Sequence, residues 1–210
     1  MEIILRQEKE CDYRAVEELT REAFWNVYTP GTDCHLLIHN LRKAKEFVKE
    51  LDTVAVFENK IVGNIVYCEA TVSDDFQKYT VLTFGPISVL PEFQNKEIGG
   101  KLIEYTKKLA KEIGYDAILI YGDPDYYKKF GFEPSIKYGI TNKEGRFPAA
   151  LLVFELEPNA LKNIKGIFDE GKIYEVCEKE LEEFEKSFEP KEKFWTKSQD
   201  RFIETSNWYL

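Results

Sequence analysis

Residues 2–7 alternate weakly between apolar and polar side chains and predict a first strand. Residues 12–24 change to helical spacing, with Ala15, Val16, Leu19 and Ala23 on one face. Thr29-Pro30-Gly31-Thr32-Asp33 has loop chemistry, and Asp33 is placed to cap a second helix through Leu36, Leu37, Leu41 and Ala44. Strands over 53–58 and 61–71 meet at Asn59-Lys60 as a hairpin. Ser73-Asp74-Asp75 then turns the chain into a long strand, 79–89, rich in β-branched and aromatic residues. After a polar loop, residues 98–113 carry Ile98, Leu102, Leu109 and Ile113 on one stripe, with Gly114 as the stop. A buried strand over 117–121, a short helix over 124–130 ended by Gly131, and a strand over 149–156 complete the pattern of one α/β domain.

After Pro158 the character changes. Residues 173–188 read as a helix whose wet face carries the acidic run, with Leu181 and Phe184 inward. The stretch 194–210 holds Phe194, Trp195, Phe202, Trp208 and Tyr209, too many aromatics for a disordered tail. The expected organisation is a domain over 1–157 and an extension over 158–210 that packs on it or on a second copy, forming a homodimer.

Composition narrows the function. With 29 Lys and Arg against 38 Asp and Glu, the net charge is -9, which argues against a nucleic-acid partner. No apolar run approaches the length of a membrane span, and the start lacks the pattern of a signal peptide, so a cytoplasmic protein without membrane partners is expected. Cys11, Cys34, Cys68 and Cys177 form no CxxC pair and suit a reducing compartment. His35 and His39 share a helix face but lack a third ligand, so no metal site is expected.

The chemistry concentrates in Gly85 to Ile103, a strand, a loop and a helix in succession. Such a junction aims backbone N–H groups and the positive end of the helix dipole at one point, which suits phosphate. Gly99 and Gly100 allow close backbone approach, and Gln94, Lys96 and Lys101 stand nearby. Pro86 removes a ladder hydrogen bond just before the loop. That frees backbone groups of Ile87, Ser88 and Val89 for an extended, amide-bearing ligand.

Val89-Leu90-Pro91 followed by Gln94-Asn95-Lys96-Glu97-Ile98-Gly99 resembles the cofactor loop of the GNAT superfamily of acyl-CoA N-acyltransferases. The family loop reads Gln/Arg-x-x-Gly-x-Gly/Ala. Gly99 matches the second glycine, whereas Glu97 replaces the first. Downstream, Tyr127-Lys128-Lys129-Phe130-Gly131-Phe132 resembles the family's Tyr-x-Lys-x-Gly-Phe segment. Gly122 to Tyr127 and Phe147 to Leu161 look like the branch of predicted small-molecule acetyltransferases. The resemblance covers about residues 1–175.

The resemblance implies a mixed central sheet splayed at a cofactor site, between the strand ending near Val89 and the strand 117–121. It implies acetyl-CoA as cofactor and transfer of its acetyl group to the primary amine of a small molecule. The pantetheine amides would pair with Ile87 and Val89. The pyrophosphate would rest on Gln94, Asn95, Lys96, Glu97, Ile98, Gly99 and Gly100, with Lys101 and Lys129 alongside. Tyr127 becomes the general acid for the departing thiolate, in preference to the adjacent Tyr126. No acid lies on the strand 79–89, which leaves Glu69, or Asp74 and Asp75 in the following turn, as candidate bases. The competing reading, favoured by Glu97 and the missing base, is a non-catalytic acyl-CoA-binding or sensing module. In a third, the aromatic tail makes the domain a homodimer or partner-binding scaffold.

Overall fold

The computed structural model describes residues 1–206 and 208–210. Among these residues nine strands form one mixed sheet. β1 (Ile4–Gln7), β2 (Thr53–Phe57), β3 (Lys60–Ser73) and β4 (Lys78–Val89) run antiparallel in sequence order. β5 (Ala117–Tyr121) follows β4 in parallel, and β8 (Leu151–Glu155) pairs β5 antiparallel. Two short strands, β6 (Glu133–Pro134) and β7 (Ile140–Thr141), pair with β8 and with β9 (Gly166–Asp169) respectively. β9 also pairs with β3 at Thr71, Val72 and Ser73.

Strand alternation sorts the core into layers. On β3, Ile65 and Tyr67 pack with Ile98, Leu102 and Ile103 of α3 (Ile98–Glu112). Their neighbours Val66 and Cys68 pack with Val16 of α1 (Tyr13–Phe24) and with Ile38 and Leu41 of α2 (Cys34–Leu41). The Tyr67 hydroxyl lies 2.9 Å from Thr106 Oγ1 of α3, so the largest buried side chain of that layer keeps a polar partner.

Two irregularities open the middle of the sheet. β3 and β4 pair at Ile65↔Ile87 and again at Tyr67↔Phe84, so β4 carries one residue more than β3 across Gly85-Pro86. This is a bulge, the usual accommodation of a strand proline. Between β4 and β5 the register consists of Leu82↔Ile118. Past that point β5 continues against β8 while β4 continues against β3, and the two strands diverge.

The chain beyond β9 departs from its sequence pattern. The helix expected over 173–188 forms as α5 (Glu178–Glu185), because Ile173 and Tyr174 turn inward against Cys68 and Val66. The helix expected through Ala44 stops at Leu41, and the Arg42 guanidinium leaves its axis to donate to Glu8 at 2.6 Å. β9, unread in the sequence, has four residues and opens on a glycine.

From α5 onward the chain wraps α1 and α2. Arg21 donates to both carboxylate oxygens of Glu185, at 3.0 and 2.8 Å. Phe184 and Phe188 flank the ring of buried His35. Asn26 then binds Glu192, Phe194, Thr196 and Gln199 in succession. α6 (Lys197–Ser206) follows, with Phe202 packed on Tyr28 and Arg201 paired to Asp123. Trp208 and Leu210 then pair by backbone hydrogen bonds with Ala149 and Phe147.

Candidate active site

The divergence of β4 and β5 makes a cavity of about 650 Å³, a usual size for a small-molecule site. Its floor is Thr83 to Ile87 and Val89 of β4, and one wall is Tyr121, Gly122 and Asp123 at the end of β5. The opposite wall is Ala23 and Phe24 at the end of α1 and Tyr28 beyond it, with Cys34 and Leu37 of α2. A second cavity, about 750 Å³, adjoins it over the start of α3. Val89, Gln94, Gly99 and Tyr126 line both.

The free edge of β4 has a readable polarity. The Leu90 N–H donates to Val62 of β3, so by alternation the backbone of Ser88 also faces β3. The N–H and C=O groups of Ile87 and Val89 therefore face the gap. Gln94 Nε2 already donates to the Val89 carbonyl there, at 3.1 Å. Ser88 contributes differently: its hydroxyl is buried against Thr20 Oγ1 at 3.0 Å and does not line either cavity.

α3 begins at Ile98 with no side-chain cap, which leaves the amides of its first turn without helical partners. Gly99 and Gly100 keep that turn bare. A Cβ on Gly99 would stand 2.9 Å from the Tyr126 hydroxyl, and one on Gly100 would stand 3.0 Å from the Phe130 ring. Asn95, Glu97, Lys101 and Lys129 surround the opening. Lys129 Nζ sits 4.2 Å over the Tyr126 ring. Lys96 is turned away and donates to the Glu92 carbonyl at 2.7 Å. Glu97 is left-handed, φ 63°, a conformation that glycine adopts without steric cost.

Tyr127 is buried and lines the cavity, its ring fixed among Phe84, Tyr126 and Phe132. Gly122 makes room for it, since a Cβ there would meet the ring at 2.3 Å. Burial pushes the phenol far above its ordinary pKa, so it holds its proton at neutral pH. Tyr126, its neighbour on the one-turn helix Pro124–Tyr127, also lines the cavity.

The candidate bases are not brought to this place. Glu69 accepts a hydrogen bond from Tyr115 at 2.7 Å on the α3 face of β3, outside both cavities. Asp74 accepts from the amides of Phe76 and Gln77 in an exposed turn. Neither acid is a base for chemistry in the gap. Besides Asp123, the cavity is lined by the carboxylate of Glu170, just past β9, together with Tyr174. Sequence reasoning missed both. The signal available was the pair Gly166 and Gly171 bracketing a short apolar run. Cys34 is no nucleophile, because burial raises its thiol to about 12. His35 and His39 turn to Glu185 and Glu17, and no cluster of metal-ligating side chains occurs among the described residues.

Residues 48–134 match the model of the family described as Acetyltransferase (GNAT) domain. Among curated proteins, the uncharacterized N-acetyltransferase YjhQ of Escherichia coli K12 is 29% identical over 98 residues. That match covers 47% of this chain and 54% of YjhQ, about half of each. The uncharacterized N-acetyltransferase YhbS of the same strain is 22% identical over 80% of this chain and 95% of its own. Among solved structures, YhbS in complex with CoA superposes with a TM-score of 0.72 at 20% identity, over 83% of this chain and 92% of that one. A GNAT family acetyltransferase of Brucella melitensis in complex with acetyl-CoA gives 0.67 at 22%, over 83% and 99%. The mixed sheet parted between β4 and β5 is the fold of these neighbours, and the domain match over residues 48–134 together with the curated relatives supports the GNAT superfamily of N-acetyltransferases.

Proposed function

We propose that this chain is an acetyl-CoA-dependent N-acetyltransferase whose acceptor is the primary amine of a small molecule. One observation carries the reading: the open edge of Ile87 and Val89 runs directly to the uncapped first turn of α3. An extended ligand with amides along its length and a pyrophosphate at its end fits that course, and the complexes of both structural neighbours with CoA or acetyl-CoA support it. Gly99 and Gly100 keep the path clear for it.

The thioester supplies the activated carbonyl; this chain supplies position and protons. Ile87 and Val89 offer backbone groups to the pantetheine arm. The amides of Ile98, Gly99 and Gly100, with Lys101 and Lys129, hold the pyrophosphate. Tyr127 holds the proton that the departing thiolate receives, and its burial keeps that proton in place until then. Phe24, Tyr28 and Leu37 form the acceptor wall. Residues 1–157 act as the acetyltransferase domain, and the extension 158–210 completes the acceptor side through Glu170 and Tyr174. Among the described residues no helix is long and apolar enough to cross a membrane, and the free cysteines suit cytoplasmic work.

The specific observation favouring a binding-only module is Glu97, an acid in the phosphate groove. Calorimetric titration with acetyl-CoA, with dephosphorylated CoA and ATP as controls, tests the cofactor site. Saturable micromolar binding is expected, and none at millimolar acetyl-CoA overturns the reading. Tyr127→Phe then separates enzyme from module. It should lower kcat about 100-fold at unchanged acetyl-CoA affinity; an unchanged rate removes the general-acid role.

A further inference from the structure

An amine acceptor reaches an enzyme at neutral pH as an ammonium ion, with a pKa near 10.4. It must lose a proton before its nitrogen can attack. β4 carries no acid, and Glu69 and Asp74 point elsewhere. Asp123 lines the cavity but is occupied, capping Asp125 at 2.8 Å and pairing with Arg201 at 3.3 Å.

Glu170 is differently placed. The preceding Asp169 is held on the outer side by Lys143 at 2.8 Å and by the Gly171 amide at 2.7 Å. Alternation turns Glu170 the other way, into the cavity with Thr83, Tyr121 and Tyr174. Among the described residues no hydrogen bond or ion pair engages its carboxylate. The Tyr174 hydroxyl beside it is shut off from solvent without a well-formed hydrogen bond.

Building on the acetyltransferase reading, we propose that Glu170 is the general base, binding the acceptor's ammonium group in this cavity and taking its proton. The Glu170 carboxylate accepts one proton from the ammonium nitrogen and later releases it to water. The free amine attacks the thioester carbonyl carbon; the C–N bond forms and the C–S bond breaks. The thiolate sulfur takes the Tyr127 proton, and the phenolate takes the second proton from nitrogen. The balance is one amide, one thiol and one proton to solvent.

The surroundings tune Glu170 for this task. Burial raises its pKa to about 7, against the pull of Lys143 and with a push from Asp169. The groups facing it are Tyr121 from β5 and Tyr174 from the following turn, both kept protonated by burial. Glu144 stands beyond Tyr121, and Lys78 at the head of β4 stands beyond Asp169. A base poised near neutrality is efficient at neutral pH.

The test compares wild type with Glu170→Gln, an uncharged variant of the same shape. The probe amines are benzylamine, tyramine and spermidine, assayed by release of CoA thiol from pH 5.5 to 10. In wild type, kcat/KM should rise to a break near pH 7 and then level. The variant should be about 100-fold slower at pH 7, rise without that break, and narrow its gap to wild type toward pH 10, where a growing fraction of the amine is already free. Its acetyl-CoA affinity by calorimetry should be unchanged. A carboxyl resonance titrating near pH 7 in protein labelled at glutamate with carbon-13 should vanish in the variant. A variant within threefold of wild type at pH 7, or with the same break, overturns the proposal and leaves the acetyltransferase reading intact. So does a wild type that binds acetyl-CoA but acetylates none of the three amines. Failure of wild type to bind acetyl-CoA brings down both.

Discussion

The two halves of the gap between β4 and β5 are built by opposite means. The half over α3 is backbone: strand edge, loop and first helical turn, contiguous from Ile87 to Lys101. The half toward α1 and α2 is side chains gathered from Phe24, Tyr28, Cys34, Tyr121, Glu170 and Tyr174, far apart in the chain. A backbone site is set by local conformation, so it tolerates exchange of most side chains and resists added bulk at its glycines. A side-chain site depends on how distant segments dock. Perturbing the docking should therefore damage the acceptor half and spare the cofactor half.

The largest effect should come from Glu185→Ala. Glu185 neutralises Arg21, which is 4% exposed beneath α5. Breaking a buried pair strands the remaining charge and should cost about 3 kcal/mol. The loss is read as a lower midpoint in urea, with acetyl-CoA affinity within twofold of wild type. Weakened acetyl-CoA binding would show that the two halves are not separate. The same contact is acid-sensitive. Burial lowers the His35 pKa to about 4, below its ordinary 6.5. Between those values the unfolded chain binds a proton that the folded chain refuses, so this stability is full above pH 6.5 and is lost as pH falls toward 4. Glu185, held below the ordinary carboxylate range as Arg21 and His35 outweigh its burial, loses its contribution in the same direction. Urea midpoints should drop on acidification from pH 7 to 4.5, and less steeply in His35→Gln.

The reverse perturbation is Gly100→Val. Its Cβ would meet Phe130 at 3.0 Å, and its γ-carbons would cover the first-turn amides. Acetyl-CoA affinity should fall about 100-fold, or about 2.7 kcal/mol. The urea midpoint and the acid response of the α5 contact should stay as in wild type.

The contrast also explains what the sequence reveals. The strand–loop–helix of the cofactor half is legible because its signals are local: Pro86 at the bulge, Gly99-Gly100 at the helix start, and Tyr127 on the short helix ended by Gly131. The core helices show their apolar faces for the same reason. Glu170 was not legible, because its environment comes from β9 pairing with β3, about a hundred residues earlier in the chain. Glu69 looked equivalent to it as a carboxylate near a strand end. What separates them is which face each occupies, and a hydrogen bond from Tyr115 has already engaged Glu69. The wrap around Asn26 was equally hidden, since its contacts go from side chains to backbone across some 170 residues.

The smallest expected effect tests the cofactor half at its one departure from the family loop. Glu97 carries two separable burdens. Its left-handed φ of 63° costs a residue with a Cβ about 1 kcal/mol more than glycine. Its carboxylate shares the groove with Glu104, opposite Lys101 and Lys129. Being exposed, that charge interacts weakly and is screened by salt. Glu97→Gly removes both burdens; Glu97→Gln removes the charge and keeps the backbone cost. If charge weakens the site, both variants should bind acetyl-CoA about threefold more tightly at low salt, and the gain should fade by 0.5 M salt. If the backbone angle is the obstacle, Glu97→Gly alone should tighten binding, independently of salt, and should also raise the urea midpoint. If Glu97→Gly binds more weakly than wild type, the carboxylate itself serves the loop, and the side-chain independence argued for the cofactor half fails at this residue.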